Sequence, residues 1–361
     1  MSITRRTVLA GLAALAAPAV LPPRPAMAQG FTRSIGSLLL VGMPGADLAA
    51  GARGLAAHIA AGNAGGAMFL GNNMTTRPAV EAAARMLRDS APDGRALVAV
   101  DQEGGAVQRL SAALGYTPIP SALRVAATRT PTEAQALYAG MAAELAAAGF
   151  TLNLAPVADL HDPENPVIGA HSRGFSDDPE TVVAYCSAFI AAHAGTGVHC
   201  AVKHFPGHGR SRGDSHEGIV DITATWGTAE LEPFHLLIAS GAARVVMAGH
   251  LRHDSLGAEP ATLNRQAITG VLREDLGFAG VVMTDDLDMA AIRDIHSLEE
   301  AVILALAAGN DLLLLSNSLT PDPDLPAIAT GWVEAAVRNG RLSGDAIEAS
   351  AARLAALRAE T

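Results

Sequence analysis

Aromatic side chains are scarce in this chain, with two tryptophans, three tyrosines and eight phenylalanines among 361 residues. That leaves no stacking platform for single-stranded nucleic acid. A basic stripe able to neutralise phosphates is missing as well, and the overall balance is acidic: 25 Lys and Arg against 36 Asp and Glu, a formal net charge of −11. Together these exclude a nucleic-acid partner. Cysteine is nearly absent. Cys186 and Cys200 are the only two, and neither sits in a CxxC or CxxH pattern, which excludes a cysteine zinc site or a dithiol redox motif. Cys186 falls in a helical pattern and Cys200 in a strand pattern, so two buried free thiols are expected, a disulfide being the alternative in an exported chain. No GxGxxG or P-loop pattern follows an early strand, which argues against a doubly wound nucleotide-binding sheet.

Residues 1–28 read as an address rather than as structure. Thr4-Arg5-Arg6-Thr7-Val8-Leu9 is a twin-arginine start, Ala10 to Leu21 is an apolar run too short for a comfortable membrane span, and Ala26-Met27-Ala28 is a small-x-small cleavage site before Gln29. The expectation is export of a folded protein to the periplasm or the medium, with no stable membrane insertion after cleavage; an uncleaved anchor is the alternative. Residues 29–361 show no linker or shift in composition and read as one domain.

In that domain, short apolar runs alternate with helical patterns. Strands are expected at Ser37–Met43, Gly66–Leu70, Ala96–Asp101, Thr151–Val157, His199–His204, Arg244–His250, Val281–Asp285 and Asp311–Ser316. Amphipathic segments include Pro131–Ala148, Pro179–Ala194, Ala229–Ser240, Arg265–Leu276 and Leu298–Ala308, and Arg341–Thr361 reads as a closing helix. Alternation at this spacing implies parallel strands with right-handed crossovers. Continuous apolar strands imply a sheet covered on both faces. Eight such units predict an α/β fold, a single-domain (β/α)8 TIM-like barrel.

Polar residues gather where those strands end: Asp101 at the third, Asn153 and Asp159 around the fourth, Lys203 and His204 at the fifth, His250 at the sixth, and Asp285 and Asp286 at the seventh. The C-terminal face is where barrels carry chemistry, so an enzyme is expected. An exported sugar-binding protein without catalysis is the alternative from another class. KHFPGHGRSRGDSH, residues 203–216, holds the densest set of ionisable groups. Zinc held by His204, His208 and His216 with Asp214 is one reading, although these histidines lack the helical spacing of HExxH and no HxH ends the first strand. Phosphate binding is another, although no helix start obviously follows the glycines. Glycoside hydrolysis is the third. It needs a nucleophilic carboxylate, for which Asp285 on a rigid strand end is suited, and a proton donor across the pocket. His216, with Asp214 to orient it on a glycine-containing loop, is a candidate for that donor; Glu217 is its rival.

DQEGG at 101–105, NLAPVAD at 153–159, KHFPGHG at 203–209, GDSH at 213–216 and PATL…LREDLGFAGVVMTDDLDM at 260–289 together resemble glycoside hydrolase family 3, specifically its bacterial β-N-acetylhexosaminidases. The resemblance runs in order through nearly the whole mature chain. It implies a barrel, Asp285 as nucleophile, His216 as acid/base and Asp214 as its partner. It also implies that Asp101, Arg173, Lys203 and His204 hold the terminal sugar, Arg173 being matched by its spacing to Phe175. His250 is expected to line the pocket. No metal or cofactor is implied, and the partner is a carbohydrate: an amino-sugar oligosaccharide or a muropeptide. Family β-glucosidases take a glutamate acid/base from a second domain, for which this chain stops too early, so the hexosaminidase branch is favoured. Of the remaining polar groups, Asp286 and Asp288 are expected to cap the helix after the seventh strand and His208 to structure its loop. Glu103 is expected either to hold the Gly104-Gly105 turn or to touch substrate. His58, His193 and His235 are expected to be structural or exposed.

Overall fold

The computed structural model describes residues 26–360. The twin-arginine start and the apolar run lie outside the described residues. The described chain begins in helix α1, Ala26–Ser37, so the expected cleavage position falls in the first turn of that helix.

Each of the eight expected strands is present: β1 Leu39–Gly42, β2 Gly66–Phe69, β3 Leu97–Val100, β4 Leu152–Asn153, β5 His199–Phe205, β6 Val245–Ala248, β7 Val281–Thr284 and β8 Leu313–Leu315. They pair in parallel in the order β7-β6-β5-β4-β3-β2-β1-β8, and a parallel bridge between Met283 and Leu312 brings β7 back to β8. The result is a nearly closed TIM-like barrel. Its strands are short and almost wholly apolar, and every residue of β1, β2, β3, β6, β7 and β8 is buried, as a sheet packed on both faces requires. β4 is shorter than its apolar run suggests. Leu154 still donates to Val100, but Pro156 has no N–H to continue the ladder, and the chain regains the sheet only at an isolated bridge from Val157 to Lys203.

The helices form the outer layer: α2 Leu48–Ala61, α3 Arg77–Asp89, α4 Ala122–Thr128, α5 Pro131–Ala148, α6 Pro179–His193, α7 Glu232–Ala239, α8 Ala290–Arg293, α9 Leu298–Ala308, α10 Leu325–Arg338 and α11 Gly344–Arg358. Local signals set their ends. Thr130 and Glu133 form a reciprocal capping box at the start of α5, and Gly149, at φ 100°, ends it in the left-handed region. The amphipathic segment expected at 265–276 is a π-helix, Gln266–Asp275. Cys186 and Cys200 are both buried and unbridged. His193 is structural: buried, it bonds Phe189 O through Nδ1 and Asn153 through Nε2.

Candidate active site

The C-terminal rim gathers its charges through a small set of buried links. Lys203, on β5, places Nζ 2.8 Å from Asp101 and 2.7 Å from Glu103. Arg173 closes on Glu103 with a two-pronged grip, Nε to Oε2 at 2.9 Å and Nη2 to Oε1 at 2.8 Å. Glu103 is therefore a hub for two cations. Burial alone would raise its carboxyl, but the adjacent Arg173 and Lys203 hold it far below the usual range, and Lys203 is in turn held above its ordinary value against the effect of burial. Glu103 lies in a hairpin of Gln102–Gly104 with Val107–Gln108 that follows the strand, and its carboxylate goes to the two cations.

A second link lies beside the first. Asp159 is fully buried and accepts the backbone N–H groups of His204 and His208 at 3.1 and 2.8 Å. Its other oxygen lies 2.6 Å from His204 Nδ1. A carboxylate there keeps a proton on Nδ1 and fixes the orientation of the ring. The loop after β5 is pinned in the same place. Gly209 sits where a Cβ would lie 2.0 Å from Leu160 O, so only glycine lets the KHFPGHG segment pass this close. Buried Glu230 accepts from Gly209 and Arg210.

Asp285 ends β7 and donates its backbone N–H to Ala248 of β6. Burial pushes its carboxyl up. The neighbouring His250, His204 and Lys203, with the Asp286 N–H, pull it down to about 2. Burial itself depresses His250, which weakens its part of that pull. The adjacent Asp286 is driven the opposite way, to about 6, chiefly by burial. The two adjacent carboxyls are thus shifted in opposite directions. His216 lies on the loop after β5, its side chain 66% exposed, with Nδ1 2.7 Å from Asp214 Oδ1. Asp214 also accepts the His216 backbone N–H at 2.8 Å. Next to the pair, Ser215 O accepts from Ala291 N at 3.3 Å, which docks this loop on α8, the helix that follows Asp285.

The sequence model of the glycosyl hydrolase family 3 N-terminal domain matches residues 32–357. The chain belongs to glycosyl hydrolase family 3. It is 38% identical over 275 residues to the β-hexosaminidase LpqI of Mycobacterium tuberculosis, spanning 72% of this chain and 67% of that one. A β-hexosaminidase of Stenotrophomonas maltophilia is 35% identical over 300 residues, 81% of this chain and 87% of its own. The fold matches a crystal structure of a β-N-acetylhexosaminidase from Beutenbergia cavernae with a TM-score of 0.81 and 33% identity, covering 91% of this chain and 98% of that one.

Seen as a family 3 glycoside hydrolase, the molecule brings Asp101, Arg173, Lys203 and His204 together at one rim, beside Asp285. His250 does not join them as expected. It is fully buried, and both ring nitrogens are engaged: Nε2 lies 2.7 Å from Asp286 O and Nδ1 2.9 Å from Thr262 Oγ1. Both nitrogens are taken by these protein partners, and the Thr262 hydroxyl itself donates to Gly249 O at 2.7 Å, so no nitrogen is left for a sugar. His250 braces the turn that carries Asp285. Asp286 and Asp288 are not helix caps either; α8 starts after Met289 with no side-chain cap. Asp286 accepts from Asp288 N and Ser316 N, and Asp288 from Ser318 N and Leu319 N, so both tie the β7 rim to the β8 rim. The zinc arrangement is not formed. His204, His208 and His216 turn Nδ1 to Asp159, Ser211 and Asp214 respectively, and among the described residues no group of three His, Cys, Asp or Glu is placed to hold a metal.

Two functional groups were underread. Glu103 carries both cations, and Asp159 orients His204. One compositional signal bears on this site: Lys203 is the only lysine in the chain. A position that keeps an ammonium where every other base is arginine marks a small, point-like cation.

Proposed function

We propose that this family 3 enzyme is a retaining exo-β-N-acetylhexosaminidase. It removes terminal N-acetylglucosamine from amino-sugar oligosaccharides through a covalent glycosyl-aspartate. Asp285, ionised at neutral pH, attacks the anomeric carbon, and the bond to the leaving oxygen breaks as His216 gives that oxygen its proton. His216 then takes a proton from water, the water oxygen bonds to the anomeric carbon, and Asp285 leaves as a carboxylate. Asp214 orients His216. Asp101, Arg173, Lys203 and His204 bind the terminal sugar, with Glu103 and Asp159 holding three of these groups in register. The observation that carries this reading is the docking of the Asp214–His216 loop on the helix that follows Asp285, beside a rim of fixed cations. The names of the curated relatives support the substrate class.

The site of action in this proposal is outside the cytoplasm, on wall fragments or environmental amino-sugar chains; Arg5-Arg6, the apolar run and Ala26-Met27-Ala28 support it. The test is hydrolysis of an aryl β-N-acetylglucosaminide and an aryl β-glucoside, each with and without chelator. Turnover of the first, far above the second and unaffected by chelation, is expected. Activity lost on chelation and restored by zinc contradicts the mechanism.

A further inference from the structure

At the end of the barrel opposite the active site, a cleft of about 390 Å³ is walled by the π-helix Gln266–Asp275, α9 and α11. Arg265, Arg273, Arg341 and Arg353 line it, and no aspartate or glutamate does. In a chain of net charge −11 this is a local reversal of sign. Two carboxylates behind the walls answer the four guanidinium groups. Buried Asp311 takes Arg273 at 2.6 Å and Arg353 at 3.0 Å, and Glu300 takes Arg341 at 2.6 Å. Asp345 in the first turn of α11 and Glu299 near Arg341 are two further carboxylates close by, so the excess of positive charge is confined to the lining itself.

The arginines differ in what they have left to offer. Arg273 is a fixture, donating also to the carbonyls of Gly309, Phe278 and Gly280. Arg353 and Arg341 each have donors beyond their ion pair. Arg265 is exposed and has no hydrogen-bond or ion-pair partner among the described residues. The first turn of α11, from Ser343 to Ile347, forms another wall and adds the partial positive charge of a helix start. One acceptor is also placed here. Asn310 lines the cleft at 1% exposure. Its Nδ2 donates to Thr262 O and Ala305 O, while its Oδ1 has no partner.

Guanidinium forks match the oxygens of phosphate, which spread charge over a compact, multiply accepting group. We propose that this cleft is a second ligand site, separate from the sugar site, for hydrogen phosphate or a small phosphate monoester. The volume is ample for the monoester.

The experiment is calorimetric titration of the full protein with inorganic phosphate and with glycerol phosphate, at ionic strength fixed with chloride. It is run on wild type, Arg265→Gln and the double variant Arg265→Gln/Arg353→Gln, with and without saturating N-acetylglucosamine. One phosphate group per chain is expected, undisturbed by the sugar. Affinity should fall several-fold in the single variant and about tenfold or more in the double, with kcat/KM on an aryl N-acetylglucosaminide unchanged. The tighter of the two titrants identifies the source. Arg265 touches no partner, so the single variant reports on the cleft even if the loss of Arg353 unsettles the fold. Equal affinity in wild type and Arg265→Gln, or displacement of phosphate by N-acetylglucosamine, overturns the proposal.

Discussion

Glu103, Asp285 and Asp286 are all buried carboxyl groups at one rim, yet their surroundings shift them in different directions. Burial raises each of them, and what decides the outcome is which cations stand close enough to oppose it. Glu103 has Arg173 and Lys203 in contact; Asp286 has the Ser316 hydroxyl, N–H groups and an anionic neighbour. Glu103→Gln leaves two buried cations short of a counter-charge, a change that costs about 3–5 kcal/mol in comparable buried pairs, and kcat/KM should fall with it. The carboxyl of Glu103 lies below its ordinary value in the folded protein, so its contribution is present above about pH 4.5 and is lost as pH falls further. Denaturant unfolding from pH 7 to pH 3 should show the gap between wild type and variant narrowing in acid; a constant gap contradicts the ion-pair account. Asp285 and Lys203 were legible in the sequence because they end apolar strands. The Glu103–Arg173 pair was not, since its members stand far apart along the chain and meet only when the barrel closes. His250 misled for a related reason: a strand-end histidine reads the same whether its nitrogens face a pocket or brace a turn.

At the scale of elements, β5 and the loop that follows it do most to assemble the site. Glu230 anchors the loop base by accepting from Gly209 and Arg210, and burial, with the nearby Asp159, raises its carboxyl to about 7. The folded value is above the unfolded one, so this group's contribution is complete below about pH 4.5 and is lost as pH rises through about 7. Glu230→Gln should therefore melt a few degrees higher relative to wild type at pH 8 than it does at pH 5. Calorimetry that finds the same difference at both pH values contradicts this role. Further along the loop, Asp214 is held below its ordinary value, burial opposing and the N–H groups of His216 prevailing. His216→Ala should lower kcat/KM on a natural disaccharide by about 100-fold and on an activated aryl glycoside far less, since a good leaving group needs little proton donation. Asp214→Ala should follow the same pattern more weakly. Equal losses on both substrates remove His216 from the acid role. Most element boundaries were legible from apolar runs and capping residues. β4 was overestimated because Pro156 interrupts a run that hydrophobicity alone extends, and the segment after Asn264 carries an ordinary helical pattern with nothing in it to show π geometry.

The whole molecule is an acidic barrel with two ends of different character. Its fold was readable from eight apolar runs alternating with helical patterns, because a parallel sheet covered on both faces leaves little room for polar residues. The arginine cleft was not readable, since its members come from separate elements that meet at the barrel's far end. The proposed export is also tested at this scale. In a strain making the Arg5→Lys, Arg6→Lys variant, full-length protein should stay in the cytosolic fraction, while wild type should be found outside the cytoplasm beginning near Gln29. Unchanged export in the double variant contradicts the twin-arginine assignment.

The central claim is that Asp285 forms the bond to the sugar. Incubation with a 5-fluoro N-acetylglucosaminyl donor, followed by digestion and mass spectrometry, tests it most directly. The account predicts one adduct per chain, on Asp285. A label on Asp286 or Glu103, or turnover with no adduct at any residue, contradicts it.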